Sequence, residues 1–261
     1  MVALKAHQMK EIAPLFQGID ETLIWSCLQG CMGHAWANSA EAPTAVQIIT
    51  GDFCFVAGDS RSPGAYELAG HIPADYRSSV LILAPPDSDW ASLVESAHAG
   101  CWQRQTRYAL QKSPNAFNLN RLRALAGQVP PEYRIQRMGE RVYHACLAQE
   151  WSADFCSQFS SYEDYQARGL GFAALLNGEP VAGASSYTVY HGGIEIEVDT
   201  KPSHRRKGLA AACAASLILE CLRVGLYPSW DAANTASLAL AQKLGYRFSH
   251  EYPVYHILTG R

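Results

Sequence analysis

Two neighbouring segments in the second half of the chain are rich in apolar residues. These segments, Leu170–Leu176 and Pro180–Tyr190, are separated by Asn177-Gly178. Because this dipeptide tolerates the left-handed backbone of a two-residue turn, the pattern predicts a β-hairpin. The following residues, 192–245, predict a strand at Ile194–Thr200, a short basic loop, a long helix, a short strand and a second helix.

The first half contains shorter periodic segments. Their patterns favour helices, strands and one hairpin, while one segment fits a strand and a helix equally well. The predicted elements are one or two helices within residues 8–32, a hairpin of Val46–Thr50 and Phe53–Ala57 around Gly51-Asp52, a buried strand at Ser79–Leu83, a helix at Ser88–Gly100 capped by Asp87 or Ser88, and the undecided segment Arg104–Gln111.

A turn-rich segment separates the two halves. Gly127 and Pro130-Pro131 follow a short predicted helix, and such residues interrupt both helices and strands. We therefore expect an N-terminal α/β domain at residues 1–130 and a second domain at residues 131–261. After the boundary the sequence predicts a strand at Tyr133–Met138, a helix at Gly139–Glu150, a polar and aromatic, lid-like helical segment at 152–168, and a closing strand segment at Tyr246–Leu258.

This order of elements predicts the fold class. Hairpins followed by a strand–helix–strand unit imply a mixed, mostly antiparallel α/β sheet flanked by helices. The first half ends in a similar order of strand, helix and undecided segment. It is therefore open to interpretation as a degenerate copy of the same fold, although no recurring sequence motif supports that view.

Composition narrows the classes of function. The chain has 261 residues, of which 48% are hydrophobic, and its net charge is −3. No global basic field is present to attract nucleic acid or an acidic membrane surface. There is no apolar signal segment and no run of about 18 apolar residues, so we expect a cytoplasmic protein. The eight cysteines lie in apolar surroundings without framework spacing, as is typical of reduced, mostly buried thiols.

The basic loop carries the clearest chemical signal. Arg205, Arg206 and Lys207 precede Gly208 at the point where a strand passes into a helix. A helix N-terminus offers unpaired N–H groups and about half a positive charge, which suits a phosphate or pyrophosphate. Because Gly208 has no side chain, a ligand can approach the backbone closely. Neither a Walker loop nor a Rossmann fingerprint is present.

The loop and its flanks resemble the GNAT superfamily of acyl-CoA-dependent N-acyltransferases. Arg205-x-x-Gly208-x-Ala210 fits the signature of that family's loop, and Pro202 stands at the strand-to-helix turn. The later helix resembles the family's asparagine-containing helix over Asn234, Ser237, Leu240, Lys243, Leu244, Gly245 and Tyr246. The resemblance covers roughly residues 132–261. It is greatest to the two-part GNAT proteins that include the zwittermicin A resistance acetyltransferase.

The resemblance implies acetyl-CoA as the co-substrate, a small-molecule amine as the acceptor and no metal. The backbone N–H groups of Arg206, Lys207, Gly208, Leu209 and Ala210 would hold the pyrophosphate, and Arg205 would mainly shape the loop. In the family the preceding strand separates from its neighbour, and the pantetheine arm adds into the gap. Here Val198, Asp199 and Thr200 would present the backbone groups, and Asn234 and Ser237 would lie on the other side.

Acyl transfer to an amine requires a base, and three acidic residues alternate along one predicted strand. Glu195, Glu197 and Asp199 are spaced so that they point to one face. Neighbouring carboxylates raise one another's pKa, as a base working near neutrality requires. Glu197 is the first candidate and Glu195 the second, with a solvent-facing strand edge as the plainer interpretation. Asp231 is a third candidate and is equally open to interpretation as a helix N-cap.

One departure from the family pattern affects the leaving thiolate. The tyrosine that often protonates it is replaced by Ala241. Tyr255, Tyr187, Ser237 or water would then supply the proton. Because of this departure, a non-catalytic acyl-CoA-binding sensor is an alternative function. A further alternative is N-acetylation of a protein instead of a small molecule.

Two further groups of residues carry weaker signals. Cys27, Cys31 and His34 lack a fourth ligand and zinc-like spacing, so we expect no metal site there. The aromatic residues of the lid-like segment are candidates for an acceptor pocket: Trp151, Phe155, Phe159 and Tyr162. The sequence does not indicate an oligomeric state.

Overall fold

The computed structural model describes residues 1–260, whose contacts divide the chain into two compact units. The first unit contains Met1–Arg107 together with the segment that begins at Glu251, and the second contains Tyr108–His250. The division into domains at 1–130 and 131–261 stays a prediction.

The chain forms short helices and strands throughout. The strands are β1 (Val2–Ala3), β2 (His34–Ala37), β3 (Ala45–Thr50), β4 (Phe53–Gly58), β5 (Val80–Ala84), β6 (Trp102–Leu110), β7 (Arg134–Arg137), β8 (Gly171–Leu176), β9 (Glu179–Tyr190), β10 (Gly193–Thr200), β11 (Tyr227–Ser229), β12 (Asp231–Ala232) and β13 (Phe248–Leu258). The α-helices are α1 (Met9–Ile12), α2 (Thr22–Leu28), α3 (Ala65–Gly70), α4 (Ser88–Ala97), α5 (Leu119–Gly127), α6 (Glu140–Leu147), α7 (Tyr162–Arg168), α8 (Leu209–Arg223) and α9 (Thr235–Leu244). Short 3-10 helices lie at Ala6–Gln8, Ala13–Phe16, Pro114–Ala116, Glu150–Phe155 and Pro202–His204.

The sheet of the first unit has the strand order β1-β2-β3-β4-β5-β13-β6. Strands β4 and β5 are parallel, whereas the β3–β4 hairpin around Gly51-Asp52 is antiparallel, as predicted. The undecided segment 104–111 lies largely in β6. Asp87 caps α4 by accepting the Trp90 N–H at 2.9 Å, and the Trp90 side chain is fully buried in the core.

The sheet of the second unit has the strand order β11-β10-β9-β8-β7. Its pairs are antiparallel except for β10 and β11, which are parallel. The predicted hairpin is formed by β8 and β9, and Asn177 (φ 52°) and Gly178 (φ 87°) adopt the expected left-handed conformations. The mixed α/β fold class, with sheets flanked by helices, is therefore confirmed.

Helix α8 packs closely on this sheet because one side of it is made of small residues. It contacts β8, β9 and β10, and α5 packs against it as well. Four of its buried residues are alanines: Ala211, Ala212, Ala214 and Ala215. Small side chains bring the helix backbone near the strands, which fixes where its N-terminus lies.

The cysteines agree with the sequence analysis. All eight lie within residues 1–260, and none forms a disulfide. Burial raises the pKa of the Cys213 and Cys221 thiols to about 12, so both stay protonated at neutral pH.

Over residues 1–260, no helix combines the length and the apolar character needed to cross a bilayer.

The lid-like segment is helical but interrupted. Its second part, α7, is capped by Ser161, whose hydroxyl accepts the Asp164 N–H at 3.2 Å. The carboxylate of Asp164 in turn accepts two bonds from Arg168, at 2.7 and 2.9 Å, and two from Ser160. Arg168 is the main reason why the pKa of Asp164 is lowered to about 2.

We expect Asp164→Asn to lower the stability of the protein at pH 7 by about 1 kcal/mol, a value discounted for the partial exposure of the pair. Because the folded-state pKa lies below the unfolded one, the contribution is present above the unfolded pKa and is lost as the pH falls towards about 2. Melting curves of both proteins between neutral and acidic pH should therefore converge. Asp154→Asn, on the same segment, is the matched control, and a constant difference at every pH would contradict the assignment.

Candidate active site

The basic loop connects β10 to α8. The 3-10 helix Pro202–His204 follows the strand, and Leu209 begins the helix. Arg206 (φ 65°) and Gly208 (φ 81°) both have left-handed backbone conformations. Such a conformation is unfavourable for a residue with a side chain, so the arrangement at Arg206 is maintained by its surroundings.

The N-terminus of α8 is open to solvent. Residues 205–208 are exposed, Gly208 has no side chain that could bond to the first N–H groups, and the first turn contains no acidic residue. The first N–H groups of a helix lack intrahelical partners, and the exposed cations Arg206 and Lys207 add to their positive field. This terminus is therefore suited to an anion such as phosphate.

Arg205 connects the loop to the strand before it. Its Nε donates to the Thr200 carbonyl oxygen at 3.0 Å, and its Nη2 lies 3.5 Å from Asp199 Oδ1. The same Asp199 oxygen accepts the Thr200 N–H at 2.6 Å. The guanidinium thus restrains the turn from strand to loop, although an exposed ion pair of this kind contributes little to stability.

Lys207 is held by a tyrosine that the sequence analysis did not single out. Lys207 Nζ donates to Tyr133 Oη at 2.8 Å and lies 5.3 Å from the centre of its ring. The same hydroxyl is 3.0 Å from His204 Nδ1. The hydrogen bond to Tyr133 raises the pKa of Lys207, so the loop keeps this positive charge at neutral pH. The two residues are 74 positions apart, and no local pattern marks the contact.

Strands β10 and β11 separate after a short stretch of pairing. Their register partners are Gly193–Tyr227, Ile194–Pro228 and Glu195–Ser229. Beyond Ser229 the chain instead pairs Asp231–Ala232 with the end of β6. Among residues 1–260 no strand pairs with β10 on this side after Glu195, which leaves an edge along Val198–Thr200. An extended ligand that carries amides can add to such an edge.

The acidic residues of β10 share one face of the sheet. Their register partners on β9 are Thr188 for Glu195, Ser185 for Glu197 and Gly183 for Asp199. One step from Glu195 to Ile196 corresponds to two steps on β9, from Thr188 to Ser186. The extra residue thus belongs to β9, and the alternation along β10 is uninterrupted. Glu195 is buried, and Glu197 is half-buried.

This face is covered by the first part of the lid-like segment. The 3-10 helix Glu150–Phe155 packs against β9 and β10. Ser185, the cross-strand neighbour of Glu197, donates to the Phe155 carbonyl oxygen at 2.7 Å and is 2.8 Å from Tyr165 Oη. The carboxylates therefore lie on a partly enclosed side of the sheet.

Asn234 is the N-cap of helix α9. The Asn234 Oδ1 accepts the Ser237 N–H at 2.9 Å, and Ser237 Oγ accepts from Trp230 Nε1 at 3.3 Å. The interpretation of Asp231 as the N-cap of this helix is therefore wrong, because Asn234 fills that position and Asp231 lies in β12.

Ala241 stands at the position where the family often has a tyrosine. Ala241 is completely buried in α9. Of the alternative proton donors, Tyr255 belongs to the first unit, where its hydroxyl donates to Glu95 Oε1 at 2.7 Å. Burial and this bond raise the pKa of Tyr255. Tyr187 is buried in β9.

The aromatic residues of the lid-like segment divide into two groups. Phe155 and Phe159 are buried, whereas Trp151 and Tyr162 are partly exposed. A cavity of about 370 Å³ lies between α7 and the strand ends beside it, and Tyr162 is the one of the four that lines it. Its other walls include Arg137, Met138, Tyr165, Gln166 and Leu170.

A second strand–loop–helix connection of the same kind occurs in the first unit. There β4 and β5 pair in parallel over three residues, as β10 and β11 do. Gly64 (φ 86°) precedes α3 as Gly208 (φ 81°) precedes α8, and Arg61 stands three residues before Gly64 as Arg205 does before Gly208. This repeat is not among the sequence predictions, although the Arg-x-x-Gly spacing is visible in both halves.

The loop of the first unit is closed by its own polar groups. Asp59 Oδ1 accepts the Arg61 N–H at 2.9 Å, and the Asp59 carbonyl oxygen accepts the Ser62 N–H at 3.1 Å. The Ala65 N–H donates to the Ser62 carbonyl oxygen at 3.1 Å, and Asn38 Nδ2 lies 3.4 Å from Ser62 Oγ. Because these donors already have partners and α3 has only six residues, the loop at 205–210 is the better anion site.

Metal ions have no evident place in the described part of the chain. Residues 1–260 contain no group of three or more His, Cys, Asp and Glu side chains that could hold one.

Comparisons with known proteins agree on one family. A family model described as GNAT acetyltransferase matches residues 13–255. The uncharacterized N-acetyltransferase YdfB of Bacillus subtilis (strain 168) is 27% identical over 241 residues, which are 90% of this chain and 90% of that protein.

Solved structures extend the comparison. The GCN5-related N-acetyltransferase-like protein from Streptococcus suis 89/1591 is 38% identical and has a TM-score of 0.88, over 97% of this chain and 99% of that chain. A tandem GNAT protein from the clavulanic acid biosynthesis pathway has a TM-score of 0.56 at 13% identity, over 98% of this chain and 97% of that chain. The second likeness concerns the fold alone.

Proposed function

The chain belongs to the GNAT acetyltransferase family, and from this premise we propose that it transfers the acetyl group of acetyl-CoA to the amine of a small molecule. The observation that carries the proposal is the open edge of β10, which leads through a basic loop to the free N-terminus of α8. One end suits a pyrophosphate and the other an amide-bearing arm, which are joined in coenzyme A.

We assign the coenzyme to two sets of backbone groups. The N–H groups of residues 206–210 bind the pyrophosphate, with Arg205 restraining the loop. The edge formed by Val198, Asp199 and Thr200 pairs with the pantetheine amides. Asn234 and Ser237 lie at the start of α9. The Asn234 Oδ1 accepts the Ser237 N–H, which leaves the amide nitrogen of Asn234 able to donate to the coenzyme.

The bound coenzyme supplies an activated thioester, and the chain supplies the base. Glu197 is the first candidate because it is half-buried beside the open edge, which leaves it accessible to an incoming amine. Glu195 is the second candidate, since it is buried and is the last residue of β10 that pairs with β11. Asp231, in β12, is the third. The base removes a proton from the acceptor's ammonium group and so frees the lone pair for direct attack.

The departing thiolate does not require a dedicated acid. The pKa of a free thiol is about 8.5, so the thiolate is a competent leaving group near neutrality. Ser237 and water remain proton sources on the second unit, and Tyr187 is a further one. Tyr255 is the weakest of the original candidates because its hydroxyl is committed to Glu95.

The acceptor is proposed to be a small amine, either an amino acid-like metabolite or an amine antibiotic. Support comes from the resemblance to the two-part GNAT proteins that include the zwittermicin A resistance acetyltransferase, and from the two compact units of this chain. The partly enclosed face beneath the 3-10 helix Glu150–Phe155 favours a small molecule over an extended protein substrate.

A non-catalytic acyl-CoA sensor is the second candidate function. Ala241 favours it, because no hydroxyl stands where the family often has its proton donor. A titration with coenzyme A, followed by an assay of thiol release from acetyl-CoA over a panel of small amines, separates the two. Binding with turnover supports the transferase, and binding without turnover supports the sensor. No binding at about 1 mM, equivalent to an affinity weaker than about 4 kcal/mol, would exclude both.

We expect one coenzyme A per chain, although two strand–loop–helix connections are present. The first loop is closed by Asp59 and Asn38, whereas the second is open. Calorimetry on the full chain should therefore fit a single site. Gly64→Asp should leave the stoichiometry unchanged, and a second site that this substitution removes would contradict the closure.

A further inference from the structure

A separate cavity of about 490 Å³ lies in the first unit, and every residue that lines it belongs to that unit. Its volume is within the range of small-molecule sites. The walls come from the turn after β5, from α4, and from β6 and β13. They include Pro85, Ala91, Glu95, Arg104, Tyr252 and Tyr255.

The carboxylate of Glu95 has a fixed position in this cavity. Its Oε1 accepts the Tyr255 hydroxyl at 2.7 Å, and Tyr255 is only 2% exposed. The Trp102 ring meets that of Tyr255 edge to face, with 5.3 Å between centroids, and Trp102 Nε1 donates to the Glu95 carbonyl oxygen at 3.2 Å. Both ends of Glu95 are therefore restrained, and its second carboxylate oxygen remains available as an acceptor.

Charges of both signs line the cavity without neutralising one another. Arg104 forms no ion pair among residues 1–260, and neither does Glu95 or Asp87. A guanidinium binds a carboxylate through a planar pair of N–H donors, and a carboxylate accepts hydrogen bonds from an ammonium group. The proline and alanine walls provide apolar surface between these groups.

We propose that this cavity binds a free α-amino acid with an apolar side chain. Arg104 takes the ligand's carboxylate, Glu95 takes its ammonium group, and the side chain packs against Pro85 and Ala91. A second coenzyme is a poor match because the cavity offers one cation and two carboxylates, which repel a pyrophosphate. The proposal does not depend on the function of the loop at 205–210.

The test uses L-phenylalanine as the probe and two half-ligands as references. Phenethylamine lacks the carboxylate, and 3-phenylpropanoate lacks the ammonium group. Calorimetry on the full chain should show that L-phenylalanine binds at least about tenfold more tightly than either reference, a difference of about 1.4 kcal/mol. Absence of L-phenylalanine binding at about 10 mM, or equal binding of a half-ligand, would overturn the proposal.

Two variants locate the binding. Arg104→Met and Glu95→Gln should each weaken L-phenylalanine binding by about tenfold or more, since each removes one charged partner. The glutamine oxygen still accepts the Tyr255 hydroxyl, so the wall is retained. Arg61→Met and Glu67→Gln, on the same unit, should have no effect. Binding that survives Arg104→Met would belong to another site, including the acceptor site, and would refute the assignment.

Discussion

Gly208→Asp is expected to abolish coenzyme A binding, with an affinity loss of at least about 100-fold, or about 2.7 kcal/mol. The new carboxylate would stand at the N-terminus of α8, in the place assigned to the pyrophosphate. Repulsion between the two anions, together with loss of access to the N–H groups, accounts for the effect. Calorimetry measures it directly.

The fold is expected to survive this substitution. A Cβ at position 208 would lie 3.7 Å from the Gln128 carbonyl oxygen, which is an ordinary contact. The left-handed conformation (φ 81°) costs about 1–2 kcal/mol for a residue with a side chain. The attraction between a carboxylate and the positive end of the helix dipole offsets part of that cost. A melting curve near that of the native protein would therefore accompany the loss of binding.

Gly192→Asp is the matched control for Gly208→Asp. Gly192 also has a left-handed conformation (φ 89°), and no atom lies within 4 Å of a Cβ built on it. It lies in the β9–β10 turn, so the same charge and the same strain are introduced away from the helix terminus. Gly208→Ala adds the strain without the charge. If Gly208→Asp still binds coenzyme A, the loop at 205–210 is not part of the coenzyme site.

Glu197→Gln is expected to lower kcat by about 100-fold to 10,000-fold while leaving coenzyme affinity unchanged. The amide keeps the size of the side chain but cannot accept a proton. For the native enzyme, kcat/KM should rise with pH as the base loses its proton, and the variant should lack this rise. Thiol release measured across the pH range provides both quantities.

Glu195→Gln and Asp231→Asn are the companions to that variant. If Glu197 is the base, both retain the rise with pH. If only Glu195→Gln lacks the rise of kcat/KM with pH, the base is Glu195, the buried carboxylate two residues before Glu197. Equal, small effects in all three variants would contradict catalysis by a carboxylate of this group.

Local signals in the sequence were sufficient for much of the fold. Asn177-Gly178 predicted a turn because few residues adopt φ > 0, and both residues do so. Asp87 was one of two predicted N-caps of α4. Its capping bond joins residues only three positions apart, so a local pattern is enough to predict it. Alternation along β10 also held, because the extra residue lies in β9.

Contacts between distant residues were beyond the sequence alone. Nothing around Tyr133 indicates that it binds Lys207, since the periodicity of a strand does not name its partners. The segment Arg104–Gln111 lies largely in β6 because it pairs with other strands of a sheet. Its own pattern of residues does not show which strands it pairs with. The repeat at Arg61 and Gly64 was visible but overlooked, because a four-residue spacing is weak without the parallel strands around it.

The return of β13 to the first unit has a consequence for the order of synthesis. This strand lies between β5 and β6 in the sheet, yet its residues from Glu251 onwards emerge from the ribosome after the whole of Tyr108–His250. The continuous second unit can thus condense during translation, while the sheet of the first unit still lacks the strand that joins β5 to β6. Stalled chains that end near residue 250 should accordingly be cleaved by protease within residues 1–107, and protection there would refute this sequence of events.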